Sequence, residues 1–218
     1  MSEIYTAAHR KFQQEFGTEA LADGIESVAV NVGLNEDQKQ FIESRQMFFL
    51  SSLDEKGRPT VSYKGGAPGF VKVLNENQIM FPSYDGNGMF YSIGNIDANR
   101  EVGLLFIDFE KPNRLRMQGQ GAVLRSGPEF DAYPGADLVV RVEVTQVWVN
   151  CPRYVHRMTL DQTSPYVPDA SGDAPIALWK RIEGMSALLS QQDQVLVDAA
   201  GTISAERYAQ MVAQGELR

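Results

Sequence analysis

The stretch Gln46–Tyr63, QMFFLSSLDEKGRPTVSY, decides how the rest of the chain is read. QMFFLSSL has the apolar content of a half-buried strand. DEKG (54–57) places a glycine where a tight turn needs a left-handed residue, and RPTVSY returns. Two runs so close together form an antiparallel hairpin, because parallel neighbours need a crossover of a dozen residues or more. The pattern repeats outward. FVKVL and QIMF form a second hairpin around NENQ, EVGLLFIDF is another apolar strand, and RLRMQGQGAVL follows the turn EKPN.

That last run has two chemically distinct faces. Arg114, Arg116, Gln118 and Gln120 are polar, while Leu115, Met117, Gly119 and Gly121 are apolar or small. DLVVRVEVTQVWVN reads as a long strand with a broken rhythm, since Val142 and Val144 are even and Val147 and Val149 odd. A slip at Thr145–Gln146 predicts a bulge. Helices are expected at the two ends: an amphipathic one over residues 3–22, a short one in NEDQKQFIESR with Asn35 as its cap, and two more in IALWKRIEGMSALL and ISAERYAQMVAQG. Six to seven short strands at hairpin spacing with terminal helices point to a small antiparallel barrel, not a doubly wound parallel sheet. The expected organisation is one domain over 1–218, with a barrel core at about 46–150 and helical extensions at 1–45 and 175–214.

Composition narrows the function. The chain has 218 residues, 43% of them hydrophobic, and a formal net charge of −8. An acidic surface gives no electrostatic reason to hold nucleic acid, so any anion must be captured by a local cluster of donors. A single cysteine, Cys151, makes no internal disulfide, and the N-terminal residues lack the apolar core of a secretory signal. No run is long and apolar enough to span a membrane. A cytoplasmic protein is the expectation. The two histidines, His9 and His156, lie far apart, and neither a zinc-ligand spacing, a nucleophile elbow nor a phosphate-binding Walker loop is present. No metal site is expected and no catalytic side chain can be assigned. An enzyme built this way would leave the hard step to a cofactor.

Three polar clusters remain: SYKGG (62–66), SYDGNGMFYS (83–92) and RLR (114–116). Gly86-Asn87-Gly88 read alone is a turn. Read with Lys64 and the arginines, it is also a candidate cradle, because free N–H groups at a following helix N-terminus attract an anion. Cys151, Trp148 and Trp179 are explained by packing, and His156 by the surface.

The run from Phe48 to Leu124, with a further stretch at VNCPRYVHR (149–157), resembles the pyridoxamine 5'-phosphate oxidase-like family of FMN-binding split barrels, in the subfamily without assigned substrate. The resemblance implies a mainly β fold, a six-stranded antiparallel split barrel with added helices, that pairs as a homodimer with each flavin between the subunits. It also implies an FMN-dependent oxidoreductase acting between a reduced donor and a small-molecule acceptor or oxygen. The alternative is a non-catalytic barrel that binds or senses flavin, haem or F420. Carried over by position, Ser62, Tyr63 and Lys64 match the strand along the flavin, and Ser83 the hydroxyl near the ring and ribityl chain. Asn87, Gly88, Met89 and Ser92 match the phosphate loop and helix start. Arg114 and Arg116 match the strand that reaches a flavin, usually the partner subunit's. Asn150, Arg153 and Tyr154 lie where the second half of the site is often found. Pyridoxamine phosphate oxidases themselves carry an Arg-x-Val strand, a basic pair in the phosphate loop and a C-terminal Arg-Leu-His-like signature. Here the first two positions read SYKGG and MFYS and the third is missing, which argues against oxidation of pyridoxamine phosphate.

Overall fold

The computed structural model describes residues 2–216. The chain divides into two compact units. The first runs to Phe130 and takes in Asp137–Thr159; the second comprises Asp131–Ala136 and the chain from Leu160 on.

The first unit opens with helices α1 (Ala7–Glu15) and α2 (Glu19–Ala29), the two-residue strand β1 (Val30–Asn31) and helix α3 (Glu36–Glu43). The single helix expected over 3–22 is therefore broken. Gly17 sits at φ +65°, and the N–H of Thr18 reaches back 2.8 Å to the carbonyl of Gln13, a Schellman-type stop. α3 starts as expected: the Asn35 side chain accepts from Gln38 N, and the Gln38 side chain returns the bond to Asn35 N.

The strands follow: β2 (Met47–Leu53), β3 (Pro59–Gly65), β4 (Lys72–Asn75) and β5 (Gln78–Tyr84). After helix α4 (Tyr91–Asn99) come β6 (Glu101–Asp108), β7 (Asn113–Leu124), the short helix α5 (Pro128–Asp131) and β8 (Ala136–Asn150). Among the described residues they form an eight-stranded antiparallel sheet in the order β3-β2-β6-β7-β8-β5-β4, with β1 added to β8. Seven of the eight, β2 to β8, are the strands read from the sequence, with FVKVL supplying β4; the two-residue β1 was not expected.

The sheet curls on itself. Phe48 of β2 meets Phe81 of β5 edge-on at 4.9 Å, although three strands separate them in the sheet order. Phe48 also packs on Phe106 and Phe70 at 5.1 and 5.9 Å. Leu50, Leu104, Leu115, Met117, Val142 and Val147 continue this core. Burying these side chains from both halves of one curved sheet is the main stabilising term, worth about 1.5–3 kcal/mol for each large apolar residue. The predicted rhythm of β7 is present: its odd positions from Leu115 to Gly121 are buried and the even ones face outward. So is the slip in β8. Gln118 pairs with Gln146 and Gly119 with Val144, leaving Thr145 as the extra residue of a bulge.

In the second unit, the helix expected over 176–189 is replaced by two 3-10 turns, Leu178–Arg181 and Ser186–Leu188, with Gly184 at φ +86° between them. The helix instead begins later, as α6 (Gln191–Ala200), where Ser190 Oγ accepts from Asp193 N. α7 (Ala205–Ala213) is capped in the same way by Ser204. The buried Lys180 ammonium donates to Asp193 at 2.8 Å, and the backbones of Gly135 and Gly172 touch closely enough to exclude any Cβ. Among the described residues no helix is long and apolar enough to cross a membrane.

Candidate functional site

Register assigns each candidate to a sheet face, since residues directly opposite share a face. Lys64 is opposite core residue Phe48, and Ser62 is opposite core residue Leu50. Both therefore point inward, where α4 lies across the sheet. Ser62 Oγ and Ser92 Oγ are 2.8 Å apart, and Lys64 Nζ donates to Ser92 Oγ at 3.4 Å. Three of the sequence-predicted residues, from two separate clusters, thus meet at the first turn of α4.

The electrostatics of this meeting point are unusual. Lys64 is half-buried, and burial holds its ammonium below the ordinary lysine range. Among the described residues no carboxylate pairs with it. At the same place α4 begins on Phe90, which has no side-chain acceptor to offer, whereas α3, α6 and α7 begin on Asn35, Ser190 and Ser204 and are capped by them. The first N–H groups of α4 are left for another acceptor, with the positive end of the helix dipole behind them. An uncompensated ammonium, two hydroxyls and uncapped N–H groups form a donor set that fits a phosphate-like anion.

The glycine loop shapes the approach to it. Asn87 Oδ1 accepts from Met89 N at 3.1 Å, closing an Asx turn, and Gly88 takes φ +73°. Phe90 also lies in the left-handed region, at φ 46°, a strained setting for an aromatic residue. Met89, Phe90 and Tyr91 are all exposed beside the site. Ser83, near the end of β5, is half-buried and shares the inward face with Phe81, two residues earlier.

Other candidates lie elsewhere. Tyr63 pairs with Phe49, Phe49 with Leu105, Leu105 with Arg116 and Arg116 with Trp148. This row crosses five strands on the outer face of the sheet. Tyr63 and the Arg114–Arg116 face thus stand on the opposite side from Ser62 and Lys64, and one chain does not bring the arginines to the α4 cluster. Arg114 is opposite Asn150, and Arg114 Nε and Asn150 Oδ1 are both buried without a hydrogen-bond partner. Beyond β8, Arg153 and Tyr154 are exposed. Tyr154 is 88% exposed at φ 69°, on an arm tied to the β6–β7 turn through Met158 N to Phe109 O and Arg157 Nε to Glu110 O.

A cleft of about 340 Å³ lies one helical turn further along α4, lined by Asp54, Arg58, Gly94 and Asn95 among others. Its charges are balanced: Arg58 donates to Asp54 at 2.7 Å, and the Arg58 backbone and side chain hold the Asp54 carboxyl below the usual range. Unlike the Lys64 cluster it also carries carboxylates, Asp54 and Glu55, alongside Lys56 and Arg58. Sequence reading missed the buried pair beneath α4, in which Asn95 Nδ2 donates to Ser52 Oγ at 3.1 Å. The available signal was an asparagine between two core isoleucines in the segment IGNI.

A curled antiparallel sheet with a short helix aimed at an inward-facing Ser-x-Lys strand defines a split-barrel protein. A family profile described as pyridoxamine 5'-phosphate oxidase matches residues 34–151, more than half of the chain, and the chain belongs to the pyridoxamine 5'-phosphate oxidase-like family. No curated protein matches it significantly. Among solved structures it is similar to HupZ of Group A Streptococcus, at 13% identity and TM-score 0.45, over 58% of this chain and 100% of that one. It is also similar to an FMN-binding protein from Syntrophomonas wolfei (12% identity, TM-score 0.41, 64% and 97% covered). A third likeness is to HutZ, the haem storage protein from Vibrio cholerae (18% identity, TM-score 0.38, 53% and 94% covered). All three are distant.

Proposed function

We propose that the chain is an FMN-dependent oxidoreductase working as a homodimer. The observation that carries this reading is the half-buried Lys64 ammonium, unpaired with any described carboxylate, converging with Ser62 and Ser92 on the uncapped start of α4. These residues would hold the flavin phosphate, with Ser83 beside the ribityl chain. FMN, when bound, supplies hydride and single-electron transfer chemistry that no side chain of the protein offers.

The rest of the reading follows from the two sheet faces. Arg114 and Arg116 point away from their own chain's phosphate site, so they serve a flavin held by a second copy. There they would place positive charge beside the pyrimidine end of the ring. Leu105 and Trp148 flank Arg116, and Phe49 and Tyr63 continue the row two and three strands away, a largely apolar strip of the type that a ring or a partner sheet covers. The protein's own tasks are then to anchor the phosphate, orient the ring and restrict water at the seam.

The purified protein should be yellow and release FMN on denaturation. Mixing it with NADH or NADPH, and then with oxygen or a quinone acceptor, should bleach and restore the colour over many turnovers. Retained colour with no turnover under any donor would favour the second reading, a barrel that binds flavin without catalysis. A colourless protein that takes up no added FMN would overturn both.

A further inference from the structure

Resting on the phosphate site just described, we propose that Asn95 is a positioning residue. Its buried hydrogen bond to Ser52 sets the rotation of α4 and so holds Ser92 and the first-turn N–H groups against Lys64. α4 cannot set its own pose. It has nine residues, a glycine, Gly94, just before its centre, and left-handed residues, Phe90 and Arg100, at both ends. A helix this short is not stable by itself in water, and its placement comes from what it touches.

Those contacts divide into two kinds. Ile93 and Ile96 are buried in the core, and Ile96 rests on Gly121, where an added Cβ would come within 2.7 Å of its Cγ2. Apolar packing of this kind sets how deep the helix lies, but it is non-directional. The short directional contacts are Ser92 to Ser62 and, one turn later, Asn95 to Ser52; Lys64 to Ser92 is longer, at 3.4 Å, and the Arg125–Asp97 ion pair is exposed and 3.7 Å long. The two hydroxyl partners belong to the adjacent strands β3 and β2. The second contact is the better shielded: Asn95 is 8% and Ser52 1% exposed. A rotation of about 20° would carry a side-chain atom lying about 5 Å from the helix axis nearly 2 Å sideways. That is enough to break the 2.8 Å contact between Ser62 and Ser92. A buried amide is costly unless paired. Its directional constraint on the phosphate-binding turn gives it a purpose that leucine would not serve.

The test compares FMN with riboflavin, which lacks the phosphate, by fluorescence titration of the full-length protein. Wild type should bind FMN at least about tenfold more tightly than riboflavin. Asn95→Leu, similar in volume, should lose most of that preference by weakening FMN binding about tenfold while leaving riboflavin affinity unchanged. Ser52→Ala, a smaller change, should do the same if Asn95→Leu does not fold. In a Ser92→Ala background, Asn95→Leu should add little, because its effect passes through that turn. If Asn95→Leu and Ser52→Ala keep the wild-type preference, or weaken both ligands equally, the positioning role is wrong while the site stands. If wild type itself shows no preference for FMN, the site reading fails and this inference with it.

Discussion

The inner face of β3 and the outer face of β7 both carry basic residues, yet they are built differently. On the inner face Lys64 is half-buried, uncompensated and surrounded by hydroxyls and N–H groups. On the outer face Arg116 is exposed, between Leu105 and Trp148, with Phe49 and then Tyr63 on the next two strands beyond Leu105. Burying a charge without a partner costs free energy. The inner face therefore bears a cost that an anion would repay. On the outer face the exposed Arg116 bears none, and the buried atoms left without a partner there are Arg114 Nε and Asn150 Oδ1. On the proposed reading each face takes a different half of the ligand: a compact dianion inside, a flat ring or a partner surface outside.

The comparison can be broken most severely at Lys64. Lys64→Met should weaken FMN binding by about 1.5–3 kcal/mol, roughly 10- to 150-fold, the scale of a charge-assisted hydrogen bond. The same substitution should raise the melting temperature of the flavin-free protein, because it removes an unpaired ammonium. Calorimetry and fluorescence titration read the two effects separately, and a fall in both would show Lys64 to be structural. Gly88→Val comes next. Gly88 sits at φ +73° with open space around it, so the substitution acts through backbone strain of about 1–2 kcal/mol and not through a clash. FMN affinity should fall about tenfold, measured by the same titration.

Arg116→Ala tests the outer face. It should weaken FMN binding about tenfold only at concentrations where the chain is dimeric, and not at all in dilute monomer; sedimentation and titration over one concentration series will show it. Equal loss in monomer would mean that the arginine serves its own chain. The smallest effect is pH dependence. The Lys64 ammonium lies below its unfolded value near 10.4, so the unfolded chain holds the proton more tightly. Stability of the flavin-free protein should therefore rise as pH climbs from the folded toward the unfolded value, while FMN affinity falls over the same window as the charge is lost. In Lys64→Met both trends should be flat.

The strands were legible because burial alternates cleanly. β7 shows its two faces in the letters RLRMQGQG, and the bulge at Thr145 appears as a change of phase among the valines. The helical ends were less legible, because a glycine in the left-handed region stops a helix without altering the apolar pattern around it. Gly17 did so, whereas in 176–189 the first turn gives way to the extended Ile182, which bridges to Ile203, two residues before Gly184. At the candidate site, the sequence offered Ser62 and Lys64 in one motif and Ser92 in another, and pairing of β2 with β3 beneath α4 is what joins them. That Tyr63 faces away from its neighbours Ser62 and Lys64 follows from strand period alone. Asn95 was missed because its partner, Ser52, lies 43 residues away and only the fold brings them together.

A crystal structure of the protein with FMN tests the central claim most directly. The account predicts the phosphate within hydrogen-bond reach of Lys64 Nζ, Ser92 Oγ and the first N–H groups of α4, with Arg116 of a second copy beside the ring. A phosphate lodged on the arginine face of its own chain, or in the Asp54–Arg58 cleft with Lys64 left unpaired, would contradict it.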